Sequence, residues 1–168
     1  MENSKVNPCC VAKPPHPIVK RNGQLYVKLN SGYEMPMIGL GTFQVEKAEP
    51  EKLRQVIRNA VQVGYKLIDC AHMYENEAVI GQELDAMINK EGILKREDIF
   101  ITSKLHPTYM GRDEVVPILK KQLQNLKVDY LDLYLIHWPM AFKRYPDDRL
   151  WVMFLFTFKS VQLSILSF

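Results

Sequence analysis

Apolar residues recur along this chain in two alternating patterns, which together predict repeated strand–helix units. In three segments they recur every three or four residues, which is typical of a helix with one buried face; these are 49–63, 77–90 and 113–127. Four short apolar runs predict buried strands, at residues 38–42, 65–69, 98–104 and 131–136. The repeats favour an α/β fold with a parallel sheet and right-handed crossovers.

Two architectures fit these repeats, an open doubly wound sheet and part of a (β/α)₈ barrel. A doubly wound dinucleotide-binding domain would place G-x-G-x-x-G directly after a strand. Here Gly39-Leu-Gly41 is followed by Thr-Phe-Gln, so the third glycine is missing and that architecture is disfavoured. In the third helix the spacing predicts an inward face, which consists of Val116, Leu119, Leu123 and Leu126.

The residues before the repeats follow another pattern. We expect residues 1–23 to be an extended tail, because four prolines between positions 8 and 17 oppose a helix. Residues 26–29 alternate weakly, residues 30–32 form a turn signal, and residues 35–38 follow. This pattern predicts an N-terminal β-hairpin, with Pro36 restricting its second strand to a sheet edge.

Composition describes an ordinary globular chain of 168 residues, 47% hydrophobic and 24% charged. Its formal charge of +3 comes from scattered basic residues, so nucleic acid is not an expected partner. The N-terminus lacks the apolar segment of a secretory signal, and Cys9, Cys10 and Cys70 make an odd cysteine count. Both observations favour a reducing compartment, and we expect a cytoplasmic location.

The C-terminal residues 150–168 begin with nine mostly apolar residues, followed by Lys159 and several polar residues. A membrane-spanning helix needs about 20 mostly apolar residues. This run is too short, so we expect an apolar tail rather than a membrane anchor.

Reactive side chains follow the predicted strands. In a parallel sheet the functional groups gather at the carboxyl ends of the strands. The first strand offers Gly41, Thr42 and Phe43, the second Asp69 and then Tyr74, the third Lys104, and the fourth His137 and Trp138.

Proton delivery to a carbonyl oxygen suits the set of groups expected at these strand ends, which are a phenol, an amine, a carboxylate and an imidazole. The phenol donates, an ammonium stabilises the phenolate, a carboxylate aims the ammonium, and an imidazole holds the carbonyl. Hydride would need a separate donor, usually nicotinamide. Each residue also has a structural alternative: Asp69 as a helix cap, Tyr74 in packing, Lys104 solvated, and His137 bonded to backbone. A zinc site is not expected, because Cys70 and His72 have no further ligand at a typical spacing.

Four segments of the chain resemble the aldo-keto reductase family. Residues 35–42, Met-Pro-Met-Ile-Gly-Leu-Gly-Thr, look like its first barrel strand. Residues 64–81, which include Asp-Cys-Ala-His-Met-Tyr-Glu-Asn-Glu, are similar to its first signature. Residues 101–105 and 129–139, the latter ending in His-Trp-Pro, match two more family segments, and the resemblance covers about residues 24–149.

This resemblance implies a (β/α)₈ barrel that reduces aldehydes or ketones to alcohols with NADPH. It implies that Tyr74 is the proton donor, that Lys104 and Asp69 tune its acidity, and that His137 orients the carbonyl. It places the cofactor near Gly41, Thr42 and Asp69, and the small-molecule substrate against Phe43, His137 and Trp138. Phe43 stands where well-known members have tryptophan, so the substrate preference is open.

Length sets a second expectation. Such a barrel takes about 250 residues, whereas the resemblance here stops near Arg149 after four strands and three helices. We therefore expect the N-terminal half of a barrel, truncated, with residues 150–168 unlike the family. The alternative to a reductase is an inactive half-barrel without a complete cofactor site, acting as an interaction or decoy fragment. Its open strand edges would favour self-association.

Overall fold

A computed structural model describes residues 17–43 and 49–142 of the chain. The chain divides into two compact units, with the boundary between Ile38 and Gly39. Most of the expected N-terminal tail with Cys9 and Cys10, and the whole apolar segment 150–168, lie outside the described residues. Among the described helices, none has the length and apolar character needed to span a bilayer.

The first unit contains a three-stranded antiparallel sheet. Its strands are β1 (Ile18–Arg21), β2 (Gln24–Lys28) and β3 (Glu34–Pro36), in that order. The predicted hairpin is present as β2 and β3, and Pro36 lies on an edge strand as expected.

Strand β1 corrects the expectation of an extended tail up to residue 23. Asn22 and Gly23 both have positive φ, 47° and 81°, which is the backbone of a tight two-residue hairpin turn. The Asn-Gly pair is the sequence signal for this turn, whereas the prolines upstream of it favour an extended tail. The chain therefore pairs with β2 from Ile18 onward.

The second unit is an α/β structure with four parallel strands. These are β4 (Leu40–Gly41), β5 (Leu67–Asp69), β6 (Phe100–Leu105) and β7 (Leu133–Ile136), paired in consecutive order. The helices between them are α1 (Pro50–Gln62), α2 (Glu77–Asp85) and α3 (Val115–Leu126), and a π-helical turn, Ala86–Lys90, extends α2. The consecutive order agrees with one segment of a barrel and differs from the reversed order of a doubly wound sheet.

The core lies between the sheet and the three helices. Its largest fully buried side chains come from α1, α2, α3, β5 and β6, and include Ile57, Ile68, Ile80, Leu84, Ile101 and Leu126. Helix α2 packs against both α1 and α3. The sheet is thereby fixed with its carboxyl ends at one edge, where the candidate side chains lie.

Helix α3 buries a face that overlaps only partly with the predicted one and shares Leu126 with it. Ile118, Gln122 and Leu126 are buried, whereas Val116 is exposed and the other two predicted leucines are only partly buried. The face is shifted because a glutamine, at the centre of the buried stripe, makes hydrogen bonds inside the protein.

Helices α2 and α3 pack closely at Gly81, where an added Cβ would overlap the carbonyl oxygen of Asn125 and the backbone of Leu126. Because these atoms are backbone, the helices have to separate to accept a side chain. We expect Gly81→Ala to lower the free energy of unfolding in urea by about 1–3 kcal/mol. The exposed control Ala78→Ser should change it by less than about 0.5 kcal/mol. Equal stability of the two variants would contradict the close packing.

Candidate active site

Four predicted side chains meet at the carboxyl edge of the parallel sheet. Asp69 is the last residue of β5, and Tyr74 ends a short 3₁₀ helix that follows it. Lys104 lies near the end of β6, and His137 directly follows β7. The strand-end reasoning therefore located residues that are 68 positions apart in sequence (137 minus 69) in one cluster.

The Lys104 amine is the centre of this cluster. Its Nζ donates to Asp69 Oδ1 at 2.8 Å, to the Cys70 carbonyl at 2.9 Å and to Tyr74 Oη at 3.0 Å. Burial lowers the pKa of Lys104, but the hydrogen bonds to Asp69 and Tyr74 outweigh it and leave the pKa above its ordinary value. The site thus holds an ammonium, charged at neutral pH, beside a phenol.

Asp69 is fixed by two threonines as well as by the amine. Thr102 Oγ1 donates to Asp69 Oδ1 at 2.7 Å, and Thr42 Oγ1 donates to the Asp69 carbonyl at 2.8 Å. Thr102 was not among the predicted site residues. Its signal was present in the sequence, because residues two apart on a strand share a face and Thr102 precedes Lys104 by two.

Aromatic rings surround the phenol. The Tyr74 ring lies 5.2 Å from the Phe43 ring and 5.7 Å from the His137 ring, centroid to centroid. Trp138 lies 6.0 Å from His137 and contacts Phe142 at 5.5 Å. Phe43 and Trp138 are exposed, so they present apolar surface beside the phenol and the imidazole.

His137 is held as a neutral imidazole. Burial, followed by the positive charge of Lys104, lowers the pKa of His137 below its usual range. Its backbone N–H donates to the Leu105 carbonyl at 3.1 Å, while its buried Nδ1 has no hydrogen-bond partner among the described residues. A neutral ring can donate one hydrogen bond to a carbonyl oxygen without supplying a second cation.

Beneath the site lies a buried polar network that sequence reasoning missed. Ser103 Oγ donates to Glu77 Oε1 at 2.6 Å, and Gln122 Nε2 donates to the same oxygen at 2.9 Å. Tyr134 Oη donates to Gln122 Oε1 at 2.7 Å. Burial raises the pKa of both Glu77 and Tyr134. The predicted apolar face of α3 does not contain Gln122, so its periodicity gave no signal for this network.

Three more rings pack next to this edge. His72, His106 and Tyr109 contact one another with centroid separations of 5.6–5.9 Å. Cys70, two residues before His72, is fully buried, and burial raises the pKa of its thiol, which disfavours the reactive thiolate. Within the described parts of the chain, no three metal-ligating side chains are grouped as a metal site would require.

The protonation of His106 should make stability depend on pH. Burial, followed by repulsion from His72 and His137, lowers the pKa of His106 from 6.5 to about 4. The unfolded chain therefore binds more protons than the folded one between these values, and stability falls as the pH falls. We expect this group to cost about 3 kcal/mol of unfolding free energy on acidification from pH 7 to pH 4.

Urea unfolding of the wild type and of His106→Phe across this pH range tests that expectation. The phenylalanine ring keeps the aromatic contacts but takes up no proton, so the variant should lose less stability in acid. If the free energy of unfolding depends on pH in the same way for both proteins, His106 has the same pKa in the folded and the unfolded chain.

Comparison with known proteins identifies the family. The sequence model of the Aldo/keto reductase family matches residues 37–152. Aldo-keto reductase family 1 member A1 of Gallus gallus is 46% identical over 119 residues, which are 71% of this chain and 36% of the relative. An NADP-dependent D-sorbitol-6-phosphate dehydrogenase of Malus domestica is 49% identical over 117 residues, 70% of this chain and 36% of its own length.

A solved structure supports the same assignment. The aldose reductase from Schistosoma japonicum superposes with a TM-score of 0.66 at 43% sequence identity, covering 73% of this chain and 39% of that protein. The chain thus spans little more than a third of the length of the relatives that it matches. Since the family model matches more than half of its residues, this chain belongs to the aldo-keto reductase family.

Proposed function

We propose that this chain carries the catalytic half of a reductase that converts aldehydes or ketones to alcohols with NADPH, with Tyr74 as proton donor. One observation carries the proposal: the Lys104 Nζ lies 3.0 Å from Tyr74 Oη and 2.8 Å from Asp69 Oδ1. A phenol that is hydrogen-bonded to an ammonium is an arrangement for proton donation, because the cation stabilises the phenolate that remains.

Each side chain then has a distinct task. Tyr74 transfers its proton to the carbonyl oxygen as that oxygen gains negative charge. Lys104 stabilises the phenolate, and Asp69 keeps the amine aimed at Tyr74. His137, whose ring meets the Tyr74 ring edge-on, donates a hydrogen bond that orients the carbonyl oxygen.

The described residues fit the nicotinamide end of the cofactor. Both side-chain hydrogen bonds to Asp69 reach Oδ1, and the side chain is 35% exposed, so the carboxylate has capacity to accept a hydroxyl of the ribose. At Gly41 an added Cβ would meet no atom within 4 Å, so there is room at the end of β4 beside Thr42. When bound, NADPH supplies the hydride for the carbonyl carbon.

The aromatic surface suggests the substrate class. Phe43 and Trp138 flank Tyr74 and His137 and expose apolar area. We infer a preference for carbonyl compounds with an aromatic or other apolar substituent. Phe43 is smaller than tryptophan and carries no N–H donor, so this wall of the site contributes packing without a hydrogen bond.

We infer further that the parallel strands form the first half of a (β/α)₈ barrel. Their consecutive order and the similarity to an aldose reductase structure support this inference. In such barrels the phosphate site comes from the last strands, so a titration of the 168-residue chain with NADPH, followed by fluorescence, precedes the activity assay.

Incubation of the purified 168-residue chain with NADPH and an aromatic aldehyde tests the proposal. Loss of NADPH absorbance with equimolar formation of the alcohol is the expected result. A matched reaction without aldehyde corrects for slow NADPH oxidation. The absence of alcohol product at saturating NADPH, from a chain that is folded by circular dichroism, would overturn the proposal for this chain.

A second candidate function rests on the exposed strand β7. Leu135 and Ile136 at its end are exposed, and among the described strands β7 pairs only with β6. An open edge with apolar side chains favours association with another chain, so an inactive half-barrel would act as an interaction fragment. Light scattering after size-exclusion chromatography measures this: a monomer at micromolar concentration would argue against it, and a discrete dimer would support it.

A further inference from the structure

We propose that Glu77 is a positioning residue, whose buried network with Ser103 and Gln122 fixes the Tyr74 segment against strand β6 and so keeps the phenol beside the Lys104 amine. This inference rests on the proposed function, because it assigns a purpose to the distance between those two groups. The hydrogen bonds of Glu77 go to Ser103 and Gln122, so it positions these groups through the backbone elements that carry them. Its charge also attracts Lys104, and Glu77→Gln, which removes that charge, separates this effect from positioning.

The network reaches Lys104 through its neighbour on the same strand. Successive side chains on a strand point to opposite faces, so Ser103 points away from the site where Lys104 points into it. Ser103 bonds to Glu77, the first residue of α2, at 2.6 Å. Gln122 of α3 donates to Ser103 Oγ at 2.7 Å as well as to Glu77 Oε1. Strand β6 is therefore tied to both helices at the position of the catalytic amine.

The network reaches Tyr74 through the chain itself. Glu77 follows Tyr74 by three residues, and Glu75 between them has φ of 53°, in the left-handed region that a residue other than glycine rarely occupies. Asn76 Nδ2 donates to the Thr42 carbonyl at 2.7 Å. The segment after Tyr74 is thus fastened by Asn76 to Thr42, directly after β4, and by Glu77 to β6, both contacts lying just C-terminal to the strained Glu75.

The burial of Glu77 also needs a reason. Its side chain is 3% exposed, both its hydrogen bonds reach Oε1, and Oε2 has no partner among the described residues. A leucine would fill the volume without burying an acidic group. A carboxyl group suits this place because one of its oxygens accepts hydrogen bonds from both β6 and α3. These bonds fix the position of the first residue of α2 against the sheet.

Chemical labelling of Lys104 tests the proposal without requiring turnover. The wild type, Glu77→Gln and Glu77→Leu are treated with a small acylating reagent under native conditions, and mass spectrometry gives acylation of Lys104 relative to the exposed Lys120. Glu77→Leu removes the acceptor, so the Lys104 amine should become about tenfold more reactive, as expected when a hydrogen-bonded arrangement is lost. Glu77→Gln retains an acceptor at Oε1 and should stay within about threefold of the wild type.

A stability control separates positioning from general loosening. Leu84→Ala removes a buried side chain of the same helix that makes no polar contact with the network, and it should destabilise the protein while leaving the labelling ratio near the wild-type value. If Leu84→Ala raises the ratio as much as Glu77→Leu, the proposal is wrong. If Glu77→Leu does not fold, Ser103→Ala decides, with an expected rise of about threefold and an unchanged ratio counting against the proposal.

Kinetics add a second readout where the wild type turns over. Glu77→Leu should then lower kcat while KM for the aldehyde stays near its wild-type value, since the substrate contacts remain. A wild type that shows no turnover, yet gives the expected labelling pattern, would reject the proposed reductase function and retain the positioning role.

Discussion

Replacing Tyr74 with phenylalanine should lower kcat for aldehyde reduction by about 10²–10⁴-fold, the range for loss of a general acid. The substitution removes one oxygen, which accepts a hydrogen bond from Lys104 at 3.0 Å, and leaves the ring contacts with Phe43 and His137 in place. KM should change by no more than about threefold, because the apolar surface that contacts the substrate is preserved.

Tyr65→Phe is the matched control for this measurement. Tyr65 lies before the amino end of β5, at the opposite end of that strand from Asp69. The same loss of a hydroxyl there should leave kcat within about twofold of the wild type. Retention of full activity by Tyr74→Phe would show that the proton comes from another group, such as a water molecule held by His137.

The regular elements of the second unit were largely predictable from the sequence. Helix α1 was expected at 49–63 and found at Pro50–Gln62, because its apolar positions repeat at helical intervals from Leu53 to Val61. Strand β6 was expected at 98–104 and found at Phe100–Leu105. These elements bury continuous apolar surface, so the local pattern carries the information that determines them.

The convergence of the site followed from topology. Parallel strands bring their carboxyl ends together, which was sufficient to place Asp69, Lys104 and His137 in one cluster. Topology could not provide the distances, since the 2.8 Å contact between Lys104 and Asp69 depends on how β5 and β6 pair in register. The roles assigned to these residues came from the family resemblance rather than from the pattern.

Buried polar partners were the part that local pattern could not reveal. Gln122 and Glu77 are 45 residues apart, and each is polar in isolation, so periodicity assigns both to a solvated surface. His106 is 1% exposed for a similar reason, because it packs against the ring of His72 from a distant segment of the chain. Burial of a polar group is decided by long-range partners that satisfy its hydrogen bonds.

Replacing Lys104 with methionine should also lower kcat by about 10²-fold or more, because the phenolate left by proton transfer loses its cation. Methionine nearly matches the length of the lysine stem, so the side-chain volume is kept. Asp69 Oδ1 would retain only the hydrogen bond from Thr102, and the loss of this partly buried ion pair should cost about 1–3 kcal/mol of unfolding free energy.

The pH dependence of stability distinguishes this ion pair from simple packing. Because the folded pKa of Lys104 is raised above 10.5, its contribution is fully present below the unfolded pKa and is lost as the pH rises through the folded value. In urea unfolding, the free energies of unfolding of wild type and Lys104→Met should therefore differ most at neutral pH. They should converge as the pH rises past 10.5 and through the folded pKa. The exposed control Lys120→Met should follow the wild type throughout, both in stability and in kcat. If the two free energies of unfolding differ by the same amount at all pH values, the difference arises from lost contacts of the lysine stem and not from the lost charge.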